Sequence, residues 1–294
     1  MFFALFVSVQ RGSNFSCVKK RMMASASCSG PCSSSSECQQ PDHLSACIIR
    51  KASRLPCAQW RREKAWDQSL YGSFQLRLGS RVIDIDESYS STGTRVWDTG
   101  VLVAKLLERE PELVRGKRVL ELGSGTGLLG MAAAIFGAKE CVLTELPALL
   151  PSLVTSVDKN IKGHLRSNIK IEKFDWNEKE DLQNFKNQKF DLILSTDTLI
   201  CEQWARGLAK VVLTIVNDTN TRILVASAND RDGVNHFRTT IAPKFNIDTQ
   251  RPKTSYHPDF KADDIDVWDI HLRGHATCHN FLPPPLSSSS SSSS

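Results

Sequence analysis

Short apolar runs alternate with helical patterns through the middle of this 294-residue chain. They are RVLEL (118–122), CVLTE (141–145), IKIEKF (169–174), FDLILS (190–195) and RILVASA (222–228). Near-continuous apolar strands separated by helical segments are typical of a parallel sheet that is covered by helices on both faces. The series therefore predicts a doubly wound, mostly parallel α/β fold. In such a fold the ligand crevice lies beyond the carboxyl ends of the strands.

Two further apolar runs follow this series and have a different connection. They are FNIDTQ (245–250) and IDVWDIHLR (265–273), and the loop between them is polar and has no convincing helical pattern. Since a loop without a crossover helix favours antiparallel pairing, we expect this pair to close one edge of the sheet. One domain over residues 61–276 would then lie between a Ser- and Cys-rich leader (1–60) and a low-complexity Pro/Ser tail (277–294).

The charge and the cysteines of the chain are concentrated in the leader. Residues 1–60 carry seven Lys or Arg and two acidic residues, so the positive and negative charges of the remaining residues are equal in number. The same segment contains six of the nine cysteines. A nucleic-acid partner is not expected, because such a protein would have a basic surface on its folded domain. A membrane is not expected either, since the apolar stretch MFFALFV at residues 1–7 is far shorter than the roughly 20 residues that a membrane-spanning helix needs.

Cysteine spacing and the leader also bear on location. The chain has no C-x-x-C pair, so no zinc or other metal site is expected, and the isolated cysteines of the domain favour a reducing compartment. We expect a cytoplasmic monomer. A basic, Ser-rich leader is also the composition of a transit peptide, in which case the protein would be mitochondrial or chloroplastic; a disordered leader is the alternative.

A glycine-rich turn follows the first of the five apolar runs. The pattern is E-x-G-x-G-x-G, from Glu121 to Gly127, so backbone N–H groups and a helix N-terminus would face a ligand there. The dinucleotide fingerprint fails because Leu128 occupies its third glycine position, and no G-K-[ST] follows as in a P-loop. The Glu121 carboxylate would repel a pyrophosphate but could attract an ammonium group, directly or through water. S-adenosylmethionine, with a sulfonium, an α-amino group and no phosphates, fits that polarity.

Polar residues follow the next three strands at the same predicted edge. Glu145 ends the second strand, 22 residues after Gly123, where a carboxylate could bind both ribose hydroxyls. Asp175 and Trp176 follow the third strand, and an indole there could stack on adenine. Asp197 follows the fourth strand in the segment STDT, which lacks the [ND]-P-P-[YF] tetrapeptide of adenine and glutamine methyltransferases. Asp197 lies at the predicted crevice, next to where a reactive methyl would be, and is the candidate for orienting an acceptor group.

Five segments together resemble the methyltransferase-like 21 group of the family-16, seven-β-strand protein lysine methyltransferases. They are GTRVWDTGVLVAKLLE (93–108), GKRVLELGSGTGLLG (116–130), VLTELPALLPSLVTSVDKN (142–160), FDW (174–176) and FDLILSTDTLI (190–200). The resemblance implies a seven-stranded Rossmann-like sheet, S-adenosylmethionine as cofactor and a protein substrate. The positions it implies around the cofactor are Trp97, Gly123, Ser124, Gly125, Glu145, Trp176 and Thr196. The glycine turn would act through its backbone, Glu145 would bind the ribose, and Trp176 and Thr196 would flank the adenine and the reactive end.

Two positions depart from the family pattern. Glu145 stands where the family usually has Asp, and either acid can bind a ribose. Ile200 stands where the family has an aromatic residue that shapes the lysine channel. We expect methyl transfer to a lysine ε-amine, oriented by Asp197. Three alternatives stay open: a degenerate interaction module, which Ile200 favours, a methyltransferase for a small metabolite or nucleic acid, and a dinucleotide oxidoreductase.

Overall fold

The computed structural model describes residues 72–88, 90–257, 260 and 262–273. The strands of this described part are β1 (Ser73–Leu78), β2 (Arg81–Asp86), β3 (Arg118–Leu122), β4 (Glu140–Glu145), β5 (Ile169–Lys173), β6 (Leu192–Thr196), β7 (Arg222–Ala228), β8 (Phe245–Gln250) and β9 (Ile265–Leu272). The α-helices are α1 (Asp98–Arg109), α2 (Leu128–Ile135), α3 (Leu150–Asn160), α4 (His164–Ser167), α5 (Lys179–Lys186), α6 (Glu202–Ile215) and α7 (Gly233–Ile241).

Seven of these strands form one sheet in the order β5-β4-β3-β6-β7-β9-β8. The pairs among β3, β4, β5, β6 and β7 are parallel, whereas β9 pairs antiparallel with β7 and with β8. This confirms the predicted α/β class, the mostly parallel sheet and the antiparallel pair at one edge. The strand order reverses between β3 and β6, and the carboxyl ends of these two strands border the crevice that the sequence predicts.

Both faces of the sheet are covered by apolar layers. Along β3, Val119 belongs to the layer that contains α1, α2 and the β1–β2 hairpin, while Leu120 and Leu122 belong to the layer beneath α6 and α7. Because side chains alternate between the faces of a strand, a run such as RVLEL can supply both layers only when each face is buried. The helices on both faces therefore hold the strand ends, and the side chains that follow them, in fixed positions.

One segment differs from what the sequence suggests, and another lies largely outside the described part. Charged and aromatic residues are mixed without clear periodicity over 61–74, which is compatible with a helix near the acceptor channel or with a solvated linker. Residues 61–71 lie outside the described part, and Ser73 begins β1, which pairs with β2. The polar composition of residues 229–237 favours a surface loop, but α7 begins inside this segment at Gly233. The helix forms there because Phe237 is fully buried against the second layer, a tertiary contact that overrides the polar composition of the segment.

Candidate functional site

The turn after β3 adopts the backbone conformation that its glycines predict. Gly123, Gly125 and Gly127 have φ values of +71°, +53° and +81°, a region that L-residues with a Cβ rarely occupy. A Cβ on Gly125 would also lie 3.1 Å from the carbonyl oxygen of Gly93. The turn therefore needs glycine both for its dihedral angles and for close approach to the segment before α1, and it leads directly into the N-terminus of α2.

Glu145, at the carboxyl end of β4, lies against this turn. Its Oε2 accepts a hydrogen bond from the Gly125 N–H at 2.8 Å, and its Oε1 accepts one from the Leu146 N–H at 2.8 Å. Burial raises the pKa of Glu145, although both N–H groups stabilise the carboxylate. A carboxylate has about four acceptor positions, so each oxygen keeps one for a ligand hydroxyl.

Glu121 and Ser124 lie deeper beneath the turn. Glu121 is 4% exposed, and its Oε2 accepts a hydrogen bond from the Gly130 N–H of α2 at 3.0 Å. Burial raises the pKa of Glu121 to about 8, with hydrogen bonds from Ser124 and Gly130 acting in the opposite direction. The Ser124 Oγ accepts from the Thr144 N–H at 3.0 Å, which fixes the turn to β4. The Glu121 carboxyl thus also caps the N-terminus of α2, a bond that sequence reasoning did not anticipate.

Trp176, after β5, is half-buried between the turn and α6. A Cβ on Gly123 would lie 3.8 Å from its Cζ2, and one on Gly207 of α6 would lie 3.1 Å from its Cε3. Gly207 therefore makes room for the indole, whereas Gly123 lies at ordinary contact distance from it. The ring lies beside the glycine turn, where the sequence predicts it.

Asp197 follows β6 and has an unusual backbone conformation. Its φ is +53°, and it is the one non-glycine residue with positive φ in the described part. It is 7% exposed, and its Oδ2 accepts a hydrogen bond from the Thr99 hydroxyl of α1 at 2.6 Å. Burial raises the pKa of Asp197, and the Arg231 guanidinium opposes this rise most strongly. Residues held in such a conformation cluster at functional sites.

An arginine and a tryptophan complete this end of the crevice. The Arg231 Nη2 lies 3.5 Å from the Asp197 Oδ1, and the charge of Arg95 also acts on that carboxylate. The indole of Trp97 donates from Nε1 to the Thr92 carbonyl at 3.0 Å. The guanidinium carbons of Arg95 and Arg231 lie 4.4 and 5.6 Å from the centroid of its ring.

The remaining predicted residue, Thr196, ends β6 directly before Asp197. A Cβ on Gly100 of α1 would lie 3.9 Å from its Oγ1, so Thr196 faces the start of that helix. Sequence reasoning missed Thr99, Arg95 and Arg231 as neighbours of Asp197. Arg231 follows the fifth parallel strand, so its place at a strand end was a usable signal.

Within residues 72–273, as far as they are described, no group of three or more His, Cys, Asp and Glu side chains could hold a metal ion. No helix of that part is long and apolar enough to cross a bilayer. The polar groups at the crevice are instead carboxylates, which accept hydrogen bonds, backbone N–H groups and an indole N–H, which donate them. These fit a ligand that carries hydroxyls, an ammonium group and an aromatic base.

Comparisons with known proteins point the same way. A family model described as lysine methyltransferase matches residues 79–243. The protein N-lysine methyltransferase METTL21A of Mus musculus is 28% identical over 184 residues, which is 62% of this chain and 81% of that protein. The protein N-terminal and lysine N-methyltransferase efm7 of Schizosaccharomyces pombe is 36% identical over 117 residues, 37% of this chain and 45% of that protein.

Solved structures of methyltransferases are also similar. The ribosomal protein L11 methylase of Lactobacillus delbrueckii subsp. bulgaricus is 17% identical with a TM-score of 0.45, covering 67% of this chain and 98% of that one. The family match extends over more than half of the chain, from the turn between β1 and β2 to just past the end of α7. The chain therefore belongs to the lysine methyltransferase family, which uses S-adenosylmethionine.

Proposed function

We propose that this protein transfers a methyl group to a lysine ε-amine of a protein substrate, and that Asp197 orients the amine. The observation that carries the proposal is the Asp197 carboxylate, which is buried in a positive-φ conformation at the strand end beside the glycine turn. Its partner Thr99 uses one position on Oδ2, so acceptor capacity remains for an amine N–H. Lysine is the acceptor in the name of METTL21A and one of two acceptors in the name of efm7, which supports the same assignment.

The residues around the turn would hold the cofactor. Backbone groups of Gly123, Ser124 and Gly125 would contact it, and the Glu145 carboxylate would accept hydrogen bonds from the ribose hydroxyls. The Glu121 carboxyl would face the ammonium group. Trp176 would cover the adenine, while Trp97 and Thr196 would border the reactive end.

When bound, the cofactor supplies an electrophilic methyl group on a sulfonium. The chain's own contribution is then mainly positioning, which is worth several orders of magnitude when the reacting atoms are held in line. Asp197 would accept a hydrogen bond from the acceptor amine and direct its lone pair toward the methyl. A carboxylate beside an ammonium stabilises the charged form, so Asp197 alone is not a sufficient base. The proton would leave to water before the N–C bond forms.

The test uses the full chain, tritiated S-adenosylmethionine and a cell extract that is separated into protein, nucleic acid and small molecules. Label is expected in a discrete protein band, and mass spectrometry of that band should place the methyl on a lysine. Methylation of an N-terminal amine, an activity in the name of efm7, would show in the same spectrum and would contradict the lysine assignment. Label in another fraction, or none despite cofactor binding, would contradict the proposal and favour the alternatives that Ile200 leaves open.

Asp197→Asn separates positioning from folding. Asn tolerates a positive φ as well as Asp does, so the fold should persist. Methyl transfer is expected to fall about 100-fold, the size of effect that follows misplacement of a reacting group. Affinity for S-adenosylhomocysteine should stay near that of the wild type. The matched control is Asp263→Asn, at an exposed turn before β9, which should leave both quantities unchanged.

Cytoplasmic location and the monomeric state stay predictions of the sequence. Fluorescence microscopy of the full chain with a C-terminal fusion tests the first, and a mitochondrial or chloroplast signal would favour the transit-peptide alternative. Size-exclusion chromatography with light scattering tests the second. A mass twice that of the 32.7-kDa chain would contradict it.

A further inference from the structure

The Asp197 carboxylate is held between side chains from two different elements. Thr99 of α1 donates its hydroxyl to Oδ2 at 2.6 Å, and the Nη2 of Arg231, after β7, lies 3.5 Å from Oδ1. We propose that Arg231 is a positioning residue for methyl transfer, because it fixes the plane of the Asp197 carboxylate that Thr99 alone leaves free to turn. This inference rests on the proposed role of Asp197 in orienting the acceptor amine.

A single hydrogen bond does not fix the plane of a carboxylate. The χ2 torsion of aspartate is broad, so rotamer preference leaves this plane soft. With Oδ2 bound by Thr99, the group can still turn about its Cβ–Cγ bond, and a second contact at Oδ1 removes that freedom. Among the described residues, Thr99 and Arg231 are the two side chains that bind the Asp197 carboxylate by a hydrogen bond or an ion pair.

The Arg231 guanidinium is itself held from a second side. Its carbon lies 5.6 Å from the centroid of the Trp97 ring, within the range of a cation–π contact. The Trp97 Nε1 donates to the Thr92 carbonyl at 3.0 Å, which fixes the ring in turn. One guanidinium thus connects the carboxylate that would orient the acceptor with the tryptophan that would border the reactive end.

The backbone that carries Arg231 packs directly on the loop that follows Asp197. The Gly233 N–H, two residues after Arg231, donates to the Leu199 carbonyl at 3.2 Å. A Cβ on Gly233 would lie 2.6 and 2.7 Å from the carbonyl oxygens of Leu199 and Cys201, which is too close for any other residue. Glycine at this position therefore lets the start of α7 approach the loop, and so sets the reach of Arg231.

The contact restrains the carboxylate and still leaves room for an acceptor. At 3.5 Å the separation of Nη2 and Oδ1 is longer than an ordinary N–H···O hydrogen bond, and such contacts often tighten only when the substrate binds. A carboxylate oxygen has about two acceptor positions, so Oδ1 keeps one for the amine. Because a misplacement of about 1 Å can cost about 100-fold in rate, loss of this restraint should be visible in the kinetics.

The test is a double-mutant cycle on methyl transfer by the full chain, with tritiated S-adenosylmethionine and the labelled protein of the cell extract as acceptor. Arg231→Met removes the guanidinium, and the maximal rate over a dilution series of the extract should fall about 30-fold. Affinity for S-adenosylhomocysteine should stay near that of the wild type. In an Asp197→Asn background the same substitution should change the rate less than about threefold, since Arg231 acts through Asp197. Arg238→Met, at an exposed position of α7, is the control and should change neither background.

Gly233→Ala tests the same restraint with Arg231 in place. The displaced start of α7 should lower the rate by a factor similar to that of Arg231→Met, and again only where Asp197 is present. Gly72→Ala is its control, because a Cβ there meets no atom within 4 Å. A loss that is as large in the Asp197→Asn background, with either substitution, would overturn the inference, because the effect would then not pass through Asp197.

Crystal structures of the wild type and of Arg231→Met with S-adenosylhomocysteine need no acceptor. In the variant the Asp197 carboxylate is expected to be turned about χ2, or divided between two orientations, with its bond to Thr99 kept. A carboxylate that keeps the wild-type plane would overturn the inference. Absence of label in the wild-type assay would count against the proposed function alone, and the crystal structures would then decide the positioning role.

Discussion

Glu121→Gln measures what a buried carboxyl costs this fold. In the folded chain burial raises the pKa of Glu121 from the ordinary value of 4.5 to about 8. Between these values the folded state holds the proton more tightly than the unfolded state does. The contribution of this group to the free energy of unfolding is therefore fully present below about pH 4.5 and is lost as the pH rises through 8. At about 1.4 kcal/mol per pH unit, the loss between pH 5.5 and 8.5 is about 3 kcal/mol.

The amide of the variant does not ionise, and its oxygen can still accept from the Gly130 N–H. Its buried NH2 group costs about 1–3 kcal/mol where it lacks a partner. At pH 8.5 the variant is expected to be as stable as the wild type or more stable, and at pH 5.5 less stable. Urea unfolding of the wild type and of Glu121→Gln is measured at constant ionic strength at several pH values in this range. It gives the slope of the free energy of unfolding against pH for each protein. Glu112→Gln is the control, since the Glu112 side chain is 78% exposed.

Parallel pH curves for the wild type and Glu121→Gln would refute the reasoning, because they would mean that Glu121 titrates alike in both states. The variant also tests the role proposed for Glu121 toward the ammonium group of the cofactor. Loss of a charge-assisted hydrogen bond should weaken binding of S-adenosylhomocysteine about tenfold. Higher stability at pH 8.5 together with weaker binding would show that the fold keeps this carboxyl for the ligand.

Two further substitutions test the fold around the site. Gly125→Ala places a Cβ 3.1 Å from the Gly93 carbonyl oxygen at a φ of +53°, so a loss of stability of about 1–2 kcal/mol is expected. Binding of S-adenosylhomocysteine should weaken as well. A melting temperature and a calorimetric affinity equal to those of the wild type would contradict these expectations. Asp269→Asn removes the carboxylate that Arg222 and Arg251 share beneath the sheet edge, which should cost about 3–5 kcal/mol of unfolding free energy. A change below 1 kcal/mol in urea unfolding would show that solvent already screens this group.

Much of the crevice could be predicted because its signals are local. The glycine turn, Glu145, Trp176 and Asp197 each follow an apolar run directly, and parallel strands bring their carboxyl ends to one edge. Of the neighbours of Asp197, only Arg231 follows a strand and could have been found in this way. Thr99 is 98 residues away along the chain and lies on α1, so no spacing pattern and no strand end relates it to Asp197.

The same limit applies to helix α7 and to the backbone of Asp197. Residues 229–237 have a polar composition that favours a loop, and the helix begins at Gly233 because Phe237 fills the layer beneath α6. The positive φ of Asp197 likewise depends on its surroundings. Its N–H donates to the Ala226 carbonyl of β7 at 3.0 Å while its carboxylate is held by α1, and both contacts require the assembled sheet.

The sequence by itself determined the alternation of strands and helices and the conformation of the glycine turn. Apolar periodicity and the freedom of glycine at positive φ are properties of a few adjacent residues. Only the tertiary structure decided which charges meet at the acceptor end. The strand order puts β7 beside β6, and this carries Arg231 to the Asp197 carboxylate while α1 brings Thr99 and the Arg95 guanidinium from the other side. Coulomb interactions depend on distance in space, and the fold is what sets that distance.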